Sequence, residues 1–389
     1  MSGLGMLITI YSLKRNGVCH LQDLQAVSSD IAKLSQQGRG SQFWKKKVSA
    51  MSFAEYFEWW IDTYKNGRIS AITLKKYFAH AKWLKTVAPD MMLHDLDSNR
   101  PALQWLLDQY GKNHRHKTVL DFKVHVMESL KSAQDDDLVK AVPKSRLVVP
   151  SVESTWSIEH QNEVRNAPKV MTEAEYRMFK SRTDFELGNM LKEKPIYGSN
   201  RDTGTCQQFI LADIVFLTHT GARFAESLGF KKSDIHDDDG YVDINKTWNY
   251  RVPEGGYMPT KNESSVRHAV VDESLIGLMD NFSNWKDKNF GAYPDLPLLV
   301  QTDDAKPYNA TYNRYLKGLL HEYGVKENQL SIHKLRHTYI SYLLTQGISA
   351  EMIARQVGHT DTKMIMQVYG HLMAEKEQSD KLKMQSLMS

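Results

Sequence analysis

The sequence predicts a mainly α-helical chain with one small β-sheet, built as a helical bundle followed by a mixed α/β domain. Three observations carry the prediction. Four stretches between Met51 and Lys140 repeat apolar residues at helical spacing. Residues 241–272 alternate in short runs divided by turns, and Ser331–Leu372 returns to helical spacing, broken at Gly347 and Gly358.

Composition bounds the class. At 389 residues the chain can bury two or three cores. A hydrophobic content of 41% and a charged content of 25% are those of an ordinary soluble domain. No apolar run approaches the roughly 20 residues of a membrane span. The opening MSGLGMLITIYSLKR has neither a basic lead nor a small-residue cleavage site, so no secretory signal is expected. Cys19 and Cys206 offer no metal spacing and no disulfide framework, which fits a reducing cytoplasm. Net charge is +4, but residues 1–47 hold seven Lys or Arg against Asp23 and Asp30, so that segment carries +5 and the remainder about −1. Contacts to nucleic acid must then come from local patches rather than a global basic field.

Taken in order, residues 1–48 are a basic segment of weak periodicity ending in GRGSQFWKKK, where cations interleave with Phe43 and Trp44. It reads equally as an arm that contacts DNA and as a solvated tail. Residues 49–140 read as four helices. Ser52 and Glu55 make a capping box ahead of the stripe Phe53, Phe57, Trp60, Ile61 and Tyr64. Thr73 opens a second helix with Leu74, Tyr77, Phe78, Ala81 and Leu84 inward. Ser98 and Pro101 start a third with Leu103, Leu106, Leu107 and Tyr110. A fourth carries Val119, Phe122, Val126 and Leu130 and stops at Asp135–Asp137. These stripes are core, not a base-stacking surface. The rim cations Lys75, Lys76, Lys82 and Lys85, with Lys112, His114, Arg115, His116 and Lys117, are the candidates for phosphate contacts; plain solubility is their other reading. Residues 141–169 hold three prolines and read as a linker.

The second domain, residues 170–389, opens with a capping box at Thr172 and Glu175 and continues into a buried helix over 206–219 that ends at Thr220-Gly221. Arg223 starts the next helix, with Glu226 one turn on. Strands follow, turning at 253–256, and Lys261 falls at the tip of a second hairpin that runs into VRHAVVD. Downstream, Ser331 is an N-cap candidate. His333 and Arg336 then lie one turn apart near a helix start, where unpaired N–H groups and the positive dipole end favour an anion. Ser349 caps a short helix that Gly358 ends, leaving His359 on a turn, and a last helix carries Tyr369.

His333-Lys334-Leu335-Arg336, Gly358-His359 and Tyr369 resemble, in this order, the C-terminal signature of the tyrosine recombinase (phage integrase) family. Thr220-Gly221-Ala222-Arg223 with Glu226, and Lys261, match the family's upstream elements. The resemblance implies a core-binding bundle and a catalytic domain closing on DNA as a C-shaped clamp. Its catalytic set would be Arg223, Lys261, His333, Arg336, His359 and the nucleophile Tyr369, with Glu226 in support. The residue types suit the chemistry. Two guanidinium forks can grip the non-bridging oxygens of a phosphodiester without losing their protons. A tyrosine with a pKa near 10 is ionised in only about one molecule in a thousand at neutral pH, so it needs a base. His333 is the candidate general base, His359 a hydrogen-bond donor and Lys261 the acid for the departing 5′-oxygen. The product is a 3′-phosphotyrosyl link, and neither metal nor other cofactor enters the scheme.

Further implications are a homotetramer on paired double-stranded recombination sites and tail residues 373–389 docking on a neighbour. An accessory DNA-bending protein or excision factor and a place in the cytoplasm, on the nucleoid in a bacterium, complete the picture. The basic N-terminal segment favours integration or excision of a phage or other mobile element. A Xer-like dimer resolvase, a type IB topoisomerase-like enzyme and a non-catalytic DNA-binding protein share parts of the pattern. A metal site of His333, His337, His359 and His371 is disfavoured, because the first pair lacks the glutamate of His-Glu-x-x-His and holds Arg336 between its members.

Overall fold

The computed structural model describes residues 50–143, 146–166, 170–197, 204–252, 255–301, 307–325, 330–363, 365, 366 and 385. The basic N-terminal segment, Tyr369 and His371 lie outside the described residues. The chain divides into two compact units, residues 1–165 and 166–389.

In the first unit, helices α1 (Phe53–Tyr64), α2 (Ala71–Val87), α3 (Arg100–Gly111) and α4 (His116–Asp135) enclose one apolar core. The capping box at Ser52 forms, with Ser52 Oγ accepting from Glu55 N at 3.3 Å. Two helix starts differ from expectation. Ser70, not Thr73, caps α2, accepting from Thr73 N at 3.2 Å, so Thr73 is the third helical residue. Asn99 caps α3, and Ser98 before it adopts φ +56°. In both cases another small polar residue a few positions away holds the extended backbone that a cap requires. The aromatic stripe is buried as expected, and its polar tips find partners. Tyr56 Oη donates to Ser129 O at 3.0 Å and Trp60 Nε1 to Ser132 Oγ at 2.8 Å. Such residues dominate the unit's stability, since truncating one typically costs about 3–5 kcal/mol.

Much of the segment expected as a linker lies along this unit. Val142 enters its core, and Val148 pairs with the Gln104 amide through its N–H at 2.9 Å and its carbonyl at 3.2 Å. Gly111 ends α3 against Pro150, whose atoms a β-carbon would approach to 2.8 Å. Helix α5 (Ile158–Asn166) follows in a stretch that shows no helical periodicity.

The second unit is organised around α7 (Gln207–Thr220), a helix buried on all sides from Gln208 onward. Packed on it are α6 (Glu173–Met190), α9 (Glu273–Phe290), α10 (Asn309–Glu322) and α11 (Ile332–Thr345). No motif marks α9 or α10, yet they close the core with Met279, Phe282, Tyr312 and Leu316. Short α8 (Phe224–Ser227) follows α7, and α12 (Ala350–Val357) follows α11.

The sheet is antiparallel, in the order β1 (Ile235–His236), β2 (Tyr241–Ile244), β5 (Arg267–Val270), with Val242 opposite Ala269. A separate hairpin pairs β3 (Lys246–Trp248) with β4 (Tyr257–Pro259). The second hairpin expected around Lys261 does not form. β5 pairs with β2 rather than β4, and Lys261 sits on the connection, just before a 3-10 turn at Glu263–Ser265. Seven residues and a helical turn are too long and too bent for the tight loop that hairpin pairing needs. No helix among the described residues is long and apolar enough to cross a membrane.

Candidate active site

The site begins where α7 ends. Gly221 terminates the helix in the left-handed conformation at φ +61°, and a β-carbon there would collide with the ring of Tyr339. The Gly221 carbonyl accepts from Arg336 Nη1 at 2.8 Å, so the start of α11 is tied to the end of α7. Two residues on, Arg223 reaches three places. Its Nη1 donates to Glu226 Oε1 at 2.5 Å and to Ser265 Oγ at 3.2 Å, and its Nη2 donates to the Gly358 carbonyl at 3.2 Å. Arg336 is 3% exposed, whereas the Arg223 side chain retains 30% of its surface.

Gly358 closes α12 at φ +71°, and His359 follows with its backbone N–H on Ala354 O at 2.9 Å. A β-carbon on Gly358 would come within 2.9 Å of Arg267 Nη1 and 3.0 Å of the Ser264 carbonyl, so close backbone approach and positive φ both require glycine here. The His359 ring is lowered to about 4, by burial first and then by Arg336, Arg223 and Arg267. Its Nδ1 is buried and has no hydrogen-bond partner among the described residues. His333 is shifted below its usual range by burial and then by Arg336, Lys334 and Arg223. His337, edge-on to His333 with ring centroids 5.2 Å apart, is lowered to about 4 by burial, Lys334 and His333. All three imidazoles are therefore neutral near pH 7, each held so in part by neighbouring cations, and a neutral imidazole can take up a proton.

Arg223, His333, Arg336 and His359 thus surround one cationic pocket, although 136 positions separate the first from the last. Glu226 is where the sequence suggested, 3% exposed at the base of Arg223. Burial would raise its carboxyl. Arg267 and Arg223, with the Arg223 backbone N–H, more than offset that and hold it below the usual range. Lys261 is exposed, four residues ahead of Ser265, and its loop is pinned to the His359 turn by the hydroxyls of Ser264 and Thr360 at 3.3 Å. On the first unit Lys75, Lys76, Lys82, Lys112, Arg115 and Lys117 are all exposed. Lys76 lies 3.6 Å from Asp121, and the Arg115 guanidinium sits 6.0 Å from the Trp156 ring.

Three contributors carry no sequence motif: Arg267, Ser265 and Gln356. On β5 the arginine and Ala269 face inward, while Val270 stands 56% exposed. An arginine at an inward strand position signals a buried carboxylate, because an unpaired guanidinium there is costly. Gln356 bridges the Val270 backbone and Tyr339 Oη with bonds of 2.9–3.0 Å, sealing α12 onto both β5 and α11. A separate cleft of about 670 Å³ is lined by Tyr176, Lys180, Asp184, His219, Asp272 and Tyr339, and none of Arg223, His333, Arg336 and His359 borders it.

Two guanidiniums and a set of imidazoles are groups whose chemistry suits an anion such as a phosphate. Residues 199–376 match the model of the phage integrase family. The ICEBs1 integrase of Bacillus subtilis is 26% identical over 181 residues, 43% of this chain and 46% of that protein, so the chain spans about half the length of this relative. The transposase from transposon Tn916 of Enterococcus faecalis is 24% identical over 75% of this chain and 69% of its own length. The fold matches the Tn1549 transposon integrase in complex with transposon right end DNA at TM-score 0.63 and 16% identity, covering 87% of this chain and all of that one. It also matches a lambda integrase tetramer bound to a Holliday junction, at TM-score 0.52 and 15% identity over 83% and 79% of the two chains. Residues 199–376 are thus similar to the phage integrase family, and the fold of the chain is that of the integrase structures it matches.

Proposed function

We propose that this protein is a site-specific integrase of a mobile element, which cuts and rejoins DNA through a covalent tyrosine intermediate. The observation that carries the reading is the convergence of Arg223, Arg336, His333 and His359 on one pocket. Arg223 and Arg336 bind the non-bridging oxygens of the scissile phosphate and stabilise the charge of the transition state. The Tyr369 oxygen attacks phosphorus while His333 takes its proton. The bond to the 5′-oxygen breaks, and Lys261 protonates that oxygen as it leaves. The 3′-phosphotyrosyl ester keeps the bond energy, so a 5′-hydroxyl from a second strand can reverse the attack. His359 donates its ring N–H to the phosphate.

Unit 1 supplies backbone contacts through Lys75, Lys76, Lys82, Lys112, Arg115 and Lys117. Four copies assemble on paired double-stranded sites, assisted by a DNA-bending or excision factor, in the cytoplasm of the host. The test is a nicked duplex carrying the joined ends of the protein's own element. Wild type accumulates a denaturant-resistant protein–DNA adduct on the 3′ side, and Tyr369→Phe gives none. An adduct that persists in Tyr369→Phe moves the nucleophile elsewhere. Relaxation of supercoiled plasmid with no dependence on those ends would favour a topoisomerase.

A further inference from the structure

Arg267 touches nothing that DNA could reach, yet it holds three parts of the pocket at once. Its Nε donates to the Gln356 carbonyl at 2.8 Å, its Nη1 to the Ser265 carbonyl at 2.9 Å and its Nη2 to Glu226 Oε2 at 3.0 Å. Gln356 lies in the last turn of α12, whose Gly358 cap leads into His359; Ser265 hydrogen-bonds Arg223; and Glu226 is the carboxylate that Arg223 shares. The Arg267 side chain is 5% exposed and that of Glu226 2%. With two guanidiniums on one carboxylate, the cluster keeps a net positive charge. With Arg223 alone, Glu226 would be neutralised one-to-one by the group that must face the substrate.

We propose that Arg267 is a positioning residue for strand cleavage: it occupies one oxygen of Glu226, so that Arg223 keeps its charge for the phosphate, and it fixes the turn that carries His359. The proposal rests on reading the pocket as a phosphate site. A lysine cannot replace this arginine, since an ammonium is a point donor and the three acceptors here fit a planar fork.

Inorganic phosphate and the His359 imidazole report on the arrangement without any DNA chemistry. In full-length Arg267→Met, Arg223 is left as the one guanidinium on Glu226 and the carboxylate's charge falls on it alone, so phosphate should bind about tenfold more weakly, which corresponds to ~1.4 kcal/mol. The NMR titration midpoint of His359 should move up, because one of the cations around it is gone. The charged and titratable groups left around it are Arg336 and His337 on α11, Arg223 ahead of α8 and Asp361 on its own turn. Arg267→Lys loses the fork but keeps a cation, so it should weaken phosphate binding as Arg267→Met does while moving the His359 midpoint less. The double variant Arg267→Met/Glu226→Gln removes the carboxylate as well, and should recover most of the phosphate affinity while His359 stays shifted.

If Arg267→Met does not fold, the comparison passes to the double variant against Glu226→Gln. The proposal then requires similar phosphate affinity in the two and a higher His359 midpoint in the double variant. Unchanged affinity and midpoint in a folded Arg267→Met, or a double variant no better than the single, would overturn it. Covalent adduct formation on the nicked duplex is measured alongside. A wild type that binds phosphate but forms no adduct refutes the integrase reading while leaving the phosphate and imidazole readouts to decide the role of Arg267.

Discussion

His80 and His125 in the first unit and His219 in the second are all buried imidazoles, and their surroundings drive them in opposite directions. His80 and His125 face each other Nδ1 to Nδ1 at 3.0 Å, with Tyr77 stacked on His125 at 3.6 Å between ring centroids. Burial, then the partner imidazole, lowers His80 to about 4. His219 instead has a carboxylate on each ring nitrogen, Asp184 at 2.9 Å and Asp272 at 3.1 Å. Burial would lower it too, but the hydrogen bonds to Asp184 and Asp272 outweigh burial and raise it. The first unit buries this imidazole pair with no carboxylate hydrogen-bonded to it among the described residues; the second pairs buried groups with opposite charge at His219 and again at Glu226, which Arg223 and Arg267 share. Burial alone does not fix the state of a titratable side chain; the partner at each polar atom does.

The largest effect that would sharpen this contrast is on chemistry. Arg336→Lys keeps the positive charge and loses the fork, so single-turnover cleavage of the nicked duplex should fall about 10²–10³-fold. A loss under about threefold would mean that charge alone suffices. On stability, the two kinds of interior should prove equally vulnerable to opposite insults. Glu226→Ala strands two guanidiniums and should cost about 3–5 kcal/mol in denaturant unfolding. Trp60→Ala leaves a cavity in the first unit and should cost a similar ~3–5 kcal/mol. If Glu226→Ala is nearly neutral, the buried ions of the second unit are not an integral part of its fold.

The pH response should differ next. A His80 held at about 4, against the usual 6.5, contributes stability that is present above pH 6.5 and lost as pH falls toward 4. For His219, raised in the folded state, the contribution is present below about 6.5 and disappears as pH rises through its folded value. Hydrogen exchange of the full chain, corrected for intrinsic rates and resolved by peptide, can read both. His125→Phe should blunt the acid limb in the first unit only. His219→Gln should flatten the alkaline limb in the second unit only. A common response of both units to either substitution would break the comparison. The smallest effect is on the surface: Lys117→Ala should leave stability within about 0.5 kcal/mol and reduce the salt slope of DNA binding by about one.

Much of the site was legible because local signals coincide with it. Gly221 and Gly358 end helices in the left-handed conformation, and a side chain of the candidate site follows each within the next two residues. The HxxR spacing survives as a helical turn because it needs only α11 to form. Lys261 was legible as a residue and not as a geometry, since its hairpin depended on which strand β5 would choose. The pairing of β5 with β2 is a non-local decision, and alternation within a strand does not name its neighbour. Arg267 was missed for the same reason: in sequence it is one cation between Val266 and His268, and only the sheet turns it toward Glu226.

By itself the sequence determined the class of fold, the helix ends at Gly221 and Gly358 and the candidate cations Arg223 and Arg336, because caps, periodicity and residue chemistry act over a few positions. The tertiary structure alone decided that β5 crosses to β2, that Arg267 and Arg223 divide one carboxylate, and that three imidazoles are held neutral while His219 is raised. Those outcomes depend on charges and donors brought within a few ångströms from distant parts of the chain, and Coulomb and desolvation terms have no value until those distances exist.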